Sequence, residues 1–139
     1  MTAYLLDTNV LSELVRPKPS PDVRAFLQSQ ADLWLSVITL HELSFGAEAA
    51  PSPKRKIELL AWIRDVTAQF GPRIIALDTV TAEHSGRLRA LADASGGPSD
   101  PLDALIAATA MQRGLVIATR NTKHFKVFGV ALHNPWPAT

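Results

Sequence analysis

Short, mostly apolar runs alternate along this chain with longer segments of helical periodicity, and few folds accommodate that pattern. The runs are Ala3 to Leu6, Leu33 to Ile38, Arg73 to Leu77 and Leu115 to Ala118, with Val130 to Leu132 as a fifth candidate. A strand that faces water on one side alternates apolar and polar residues. A strand apolar at nearly every position is covered on both faces, as in a parallel sheet flanked by helices. The expected fold is therefore α/β, a three-layer α/β/α arrangement around a central, mainly parallel sheet.

The intervening segments carry helix starts and stops. Val10 to Val15 is a short helical stretch ended by Pro17, Pro19 and Pro21, and Asp22 to Gln30 places Val23, Phe26 and Leu27 on one face. Thr39-Leu40-His41-Glu42 has the form of a capping box for a helix reaching Ala49. Ser52 and Pro53 launch a long amphipathic helix to Gln69, with Ile57, Leu60, Ile63 and Arg64 in helical spacing, and Gly71-Pro72 ends it. A further helix is expected over Val80 to Ala94, followed by a loop from Ser95 to Ser99. Asp100 caps the last long helix, with Pro101 next and Asp103 at the third helical position. That helix is rich in alanine, which permits close packing on a sheet, and it stops at Arg113-Gly114.

At 139 residues, with 47% hydrophobic and 19% charged residues, the chain is expected to form one domain spanning 1–139. It has no cysteine, so any metal must be held by oxygen or imidazole. No stretch of about 18 apolar residues occurs, and Asp7 interrupts the only early apolar run, so a cytoplasmic location is expected. Fourteen basic residues against 13 acidic ones leave a formal charge of +1. Distribution matters more than the sum: Arg16, Lys18, Lys54, Arg55, Lys56, Arg113, Arg120, Lys123 and Lys126 are read either as a phosphate-contacting rim or as a solvated face.

The acids are placed informatively. Asp7 ends the first strand, Glu42 and Asp103 fall in the first turns of two helices, and Asn121 lies just past another strand. In an open parallel sheet those positions share one edge, where ligands bind. Each has a structural explanation as well: Asp7 as a turn former, Glu42 as the returning member of the capping box, Asp103 as a favourable charge at a helix N-terminus. If they converge, two carboxylates about 4 Å apart repel by roughly 4 kcal/mol at an effective dielectric of 20. A divalent cation removes that repulsion, and carboxylate and water oxygens suit Mg²⁺ or Mn²⁺. Such a cation orients a phosphodiester and acidifies the water that attacks it. Neither a receiver domain nor an ATPase fits: no further acid adjoins Asp7, Thr119-Arg120 follows the fourth strand where a receiver has lysine, and no G-x-x-x-x-G-K loop occurs.

These segments resemble the PIN-domain family, in particular the toxin ribonucleases of the VapC type and their FitB-like branch. The resemblance rests on LLDTNVLSELVRP at Leu5 to Pro17, SVITLHELSFG at Ser36 to Gly46, DPLDALIAATAMQRGLVIATRN at Asp100 to Asn121, and NPW at Asn134 to Trp136. It implies that Asp7, Glu42 and Asp103 are the metal-site acids, that Asn121 takes the fourth polar position, and that Asp100 is a helix cap. Thr8, Asn9 and Thr119 would orient those acids or the waters on the metal. Two positions where relatives often carry aspartate hold Asn121 and His124 here, which favours one Mg²⁺ over two. The resemblance further implies endonucleolytic cleavage of RNA, a homodimer, and restraint by a VapB-like antitoxin. Phe45, Leu59 and Trp62 are candidate contacts for such partners or simply core residues. The competing reading is a non-catalytic RNA-binding or assembly module on the same fold.

Overall fold

The computed structural model describes residues 1–138. Its five strands are β1 (Tyr4–Leu6), β2 (Leu33–Ser36), β3 (Ile74–Ile75), β4 (Val116–Ala118) and β5 (Leu132–His133). They form one sheet in the order β3-β2-β1-β4-β5, parallel throughout. Tyr4 of the central strand lies opposite Leu33 on one side and Val116 on the other, and Leu6 lies opposite Ala118. The helices are α1 (Thr8–Ser12, continued by a 3-10 turn over Glu13–Val15), α2 (Pro21–Ser29), α3 (Val37–Glu48), α4 (Pro53–Phe70), α5 (Thr79–Ala94), α6 (Pro101–Arg113) and α7 (Thr122–Lys126).

Successive side chains of a strand point to opposite faces, and here the two faces build two cores. Leu5, Ile75 and Ile117 pack with Leu88 and Ala92 of α5, the alanines of α6, and Phe125 of α7. Leu6, Leu35 and Ala118 pack with residues of α1, α2, α3 and α4, including Val10, Phe26, Leu43, Val66 and Phe70. This is the expected three-layer α/β/α architecture. Ala104, Ala107, Ala108 and Ala110 are wholly buried, so α6 lies close against the sheet, as its composition requires. Its end is set by Gly114, whose φ of 67° is left-handed and costs a side-chain-bearing residue strain. Ser20, Ser52 and Asp100 each cap a helix that has proline in its first turn. No helix among the described residues is long and apolar enough to cross a membrane.

Three details differ from the expectations. The box at Thr39 to Glu42 does not start α3. Strand β2 ends at Ser36, and the Ser36 hydroxyl accepts from the Ile38 N–H at 3.0 Å. Thr39, buried in the first turn, donates its hydroxyl to the Leu6 carbonyl at 3.3 Å instead. Glu42 therefore lies in the second turn of α3 and has no capping role. Along α4 the buried residues are Val66 and Phe70, while Ile57 remains 69% exposed, because only the C-terminal half of that long helix reaches the core. Strands β3 and β5 contain two residues each, shorter than the apolar runs around them.

Replacing Ser36 with alanine strands a buried N–H at the start of α3. We expect a loss of about 1–2 kcal/mol in urea unfolding with an unchanged denaturant slope. An unchanged midpoint would show that α3 is not anchored there.

Candidate active site

All five strands run the same way, so their C-terminal ends define one edge, and the polar residues that follow β1, β2 and β4 meet there. Asp7 follows β1 directly and caps α1. It is only 5% exposed, yet its carboxylate is well supplied with donors. Oδ1 accepts from the Thr8 N–H at 2.9 Å, and Oδ2 accepts from the Thr119 hydroxyl at 2.8 Å and from Asn9 Nδ2 at 3.1 Å. The Thr119 hydroxyl in turn accepts from the Asn121 N–H at 2.9 Å, and Asn9 Oδ1 accepts from the Arg120 N–H at 3.1 Å. Residues more than a hundred positions apart are thereby locked into one network.

Thr8 makes the second link. Its hydroxyl donates to Glu42 Oε1 at 2.8 Å, tying α3 to the start of α1. The third acid, Asp103, sits in the first turn of α6, beneath Asp100, whose Oδ1 accepts from the Leu102 and Asp103 N–H groups at 2.8 and 3.0 Å. Asp100 is thus a helix cap, as its sequence context implies. Asp103 Oδ2 lies 3.9 Å from His124 Nδ1 on α7. Pro98, Ser99, Asp100, Asp103, Lys123 and His124 border an open cleft of about 300 Å³ beside it.

The electrostatics of the three acids are linked. Burial pushes the Asp7 carboxyl above the ordinary carboxylate range, against the opposing pull of its hydrogen bonds from Thr119, Thr8 and Asn9. Burial also raises Glu42, offset by the Thr8 hydroxyl and reinforced by the charges of Asp7 and Asp100. Asp103 is pushed up to about 6, first by burial and then by Asp100, Asp7 and Glu42, with His124 acting in the opposite direction. Glu42 and Asp103 resist ionising partly because neighbouring acids are charged, a situation that a cation reverses.

Asn121 joins this group through its backbone. It stands exposed at the start of α7 and makes no side-chain capping bond. The basic residues are divided. Lys56 pairs with Glu48, Arg55 with Glu58, and Arg16 with Glu13. Arg113 borders a cavity with Ala3, Asp32 and Leu115, at the opposite edge of the sheet. Arg120 joins the acid network through its backbone, Lys123 and His124 of α7 border the cleft beside Asp103, and Arg55 of α4 lines a groove with Glu42, so the basic residues next to the acids come from several elements.

The matching family model, described as PIN domain, covers residues 4–130 and so includes all three acids. The chain belongs to the PIN-domain family. Among its relatives is the toxin FitB of Neisseria gonorrhoeae, 38% identical over 135 residues that span 95% of this chain and 97% of that protein. Another is the tRNA(fMet)-specific endonuclease VapC of Shigella flexneri, 33% identical, with coverage of 98% and 99%. The crystal structure of FitAcB from Neisseria gonorrhoeae superposes with a TM-score of 0.91 at 38% identity, covering 97% of this chain and 99% of that one. This PIN domain therefore shares the fold and most of the length of those proteins.

The raised carboxyls of the PIN domain set the sign of its pH response. An acid whose folded-state pKa exceeds its unfolded value binds its proton more tightly when folded, so stability grows as pH falls through the folded pKa. For Asp103, raised to about 6, the window runs from there down to the unfolded value of about 3.9. Without divalent metal, the melting temperature should rise between about pH 7.5 and pH 5. Asp103→Asn should raise it at the upper pH and flatten the profile. A variant with the wild-type slope would remove Asp103 from the coupled set.

Proposed function

We propose that this PIN domain is an Mg²⁺-dependent endoribonuclease, the toxin component of a toxin–antitoxin pair. The observation that carries the reading is the meeting of Asp7, Glu42 and Asp103 at one sheet edge, where burial raises all three carboxyls and the charges of neighbouring acids raise Glu42 and Asp103 further. Glu42 in particular has lost its structural explanation, since Ser36 caps α3 in its place. Similarity to a toxin and to a tRNA-specific endonuclease supports the same assignment.

The donor set fits Mg²⁺, with Mn²⁺ as an alternative, because every candidate ligand is an oxygen. Among the described residues no three His, Asp or Glu side chains approach closely enough to enclose a metal alone. Mg²⁺ keeps several waters and takes one or two protein carboxylates directly. One ion balances three acids better than two, given Asn121 and His124 where relatives often carry aspartate. Bound Mg²⁺ would supply charge neutralisation at the phosphodiester and acidify the attacking water.

The chain's own residues do the positioning. Thr119, Asn9 and the Thr8 N–H fix the Asp7 carboxylate. The Thr8 hydroxyl holds Glu42 through Oε1. Asp103 comes from α6, on the other face of the sheet from α3, and Asn121 joins through its N–H to the Thr119 hydroxyl. A buried network of this kind keeps the acids in place before substrate arrives.

Similarity to toxin–antitoxin complexes supports an antitoxin partner. A groove of about 230 Å³ lined by Leu43, Leu59, Trp62 and Ile63, with Glu42 and Arg55 in its wall, is the surface proposed for an antitoxin segment. Phe45, 72% exposed, belongs to no core and lines a cavity with Thr8, Glu42 and Leu102, and it is proposed as a contact for the antitoxin or for a second copy of the chain.

Antitoxin-free protein incubated with transfer RNA should cleave it internally with Mg²⁺ and leave it intact with EDTA. Asp7→Asn, Glu42→Gln and Asp103→Asn should each abolish the Mg²⁺-dependent products. Thr119→Val should retain the fold and lose about 10–100-fold in activity. Cleavage that persists in Asp7→Asn would identify a contaminant. Metal-independent RNA binding without turnover would establish the non-catalytic module instead.

A further inference from the structure

Two sequence features stand outside the acid network: Arg120, and the NPW segment at Asn134 to Trp136. The fold brings them together. The Arg120 guanidinium carbon lies 5.0 Å from the centre of the Trp136 ring, within the range of a cation–π contact. Trp136 is itself fixed. Asn134 Oδ1 accepts from its N–H at 3.0 Å, Pro135 beside it is buried, and the indole packs on the core formed by Leu6, Val10 and Ala118. At its other end Arg120 is anchored by its backbone, whose N–H donates to the same Asn9 that donates to Asp7.

Arg16, Arg55 and Lys56 are held by carboxylates of their own chain, whereas Arg120 lies over an aromatic ring, as Arg73 lies over Phe70, and among the described residues forms no salt bridge. It is one residue removed from Thr119, whose hydroxyl donates to Asp7. Among the described residues the Arg120 guanidinium donates no hydrogen bond within the chain, so its planar fork of N–H groups is available to a phosphate. A fixed cation with free donors, set beside an acidic centre, lets a polyanion be gripped on one side of the centre without neutralising it.

We propose that Arg120, braced on Trp136, is a substrate-positioning residue that takes a backbone phosphate of the RNA strand next to the one cleaved. The proposal rests on the endoribonuclease reading above. A purely structural role, pinning the C-terminal segment to the β4–α7 connection, is the competing account. It predicts no effect on the salt dependence of RNA binding.

The test separates the two, and separates this proposal from the nuclease assignment. Binding of fluorescently labelled total transfer RNA is measured by anisotropy over a salt series in the Asp7→Asn background, which needs no cleavage. Adding Arg120→Ala should weaken binding about tenfold and reduce the salt slope by about 0.7–0.9, one phosphate contact. Arg120→Lys should keep the slope and recover part of the affinity, and Trp136→Leu should lose affinity with the slope kept. In the otherwise unmodified enzyme, Arg120→Ala should raise KM with kcat nearly unchanged. Arg87→Ala, on the exposed side of α5, serves as the control and should change neither. An unaltered affinity and slope in Arg120→Ala would overturn the proposal. So would a fall in kcat at constant KM, which would report damage to the Thr119–Asp7 bond, or an effect confined to binding of a protein partner. If the enzyme proves inactive on RNA, the anisotropy series still decides whether Arg120 grips phosphate.

Discussion

The hydrogen bond from the Thr119 hydroxyl to Asp7 Oδ2 joins the ends of β1 and β4, the two strands at the centre of the sheet. It makes a nearly buried carboxylate tolerable at the place where the chain leaves the core. An ionised carboxylate in that position without donors would cost several kcal/mol. Three donors from Thr8, Asn9 and Thr119 offset most of that cost and orient the group. Almost every other polar contact at this edge continues from the same network: Asn9 to Arg120, Thr119 to Asn121, Thr8 to Glu42.

The network is stable and yet incomplete. Asp7 is satisfied by hydrogen bonds, but Asp103 has only a distant histidine to offset three neighbouring acids and its own burial. Natural proteins keep such a conflict where function requires it. An edge satisfied throughout would be more stable and would offer nothing to a cation. Among the surrounding cations, Arg16, Arg55 and Lys56 pair with carboxylates of the chain, while Arg120 lies over the Trp136 indole.

Much of this was legible before any coordinates. Apolar runs demanded a covered parallel sheet, proline after a capping residue marked the starts of α2, α4 and α6, and the alanines of α6 marked its contact with the sheet. The start of α3 was misread for a specific reason. Both Ser36 and Thr39 can cap a helix, and local sequence does not choose between them. The choice is made by pairing of Ser36 with Ile75 in β3, which extends the strand to that point, and by the Leu6 carbonyl, which claims the Thr39 hydroxyl. The face of α4 was misjudged likewise, because periodicity reports which residues share a side and not how far along the helix the core extends.

What the sequence determined by itself is the kind of layers, the positions of most helix ends, and the placement of Asp7 after a strand and of Asp103 in a first helical turn, because these follow from short-range periodicity and from residue chemistry. What only the tertiary structure decided is which groups share the edge with them. The alignment of parallel strands brings Thr119 to Asp7 across more than a hundred residues and seats Arg120 on Trp136. Those contacts depend on strand order and register, which are set by the packing of the whole chain and by no local segment of it.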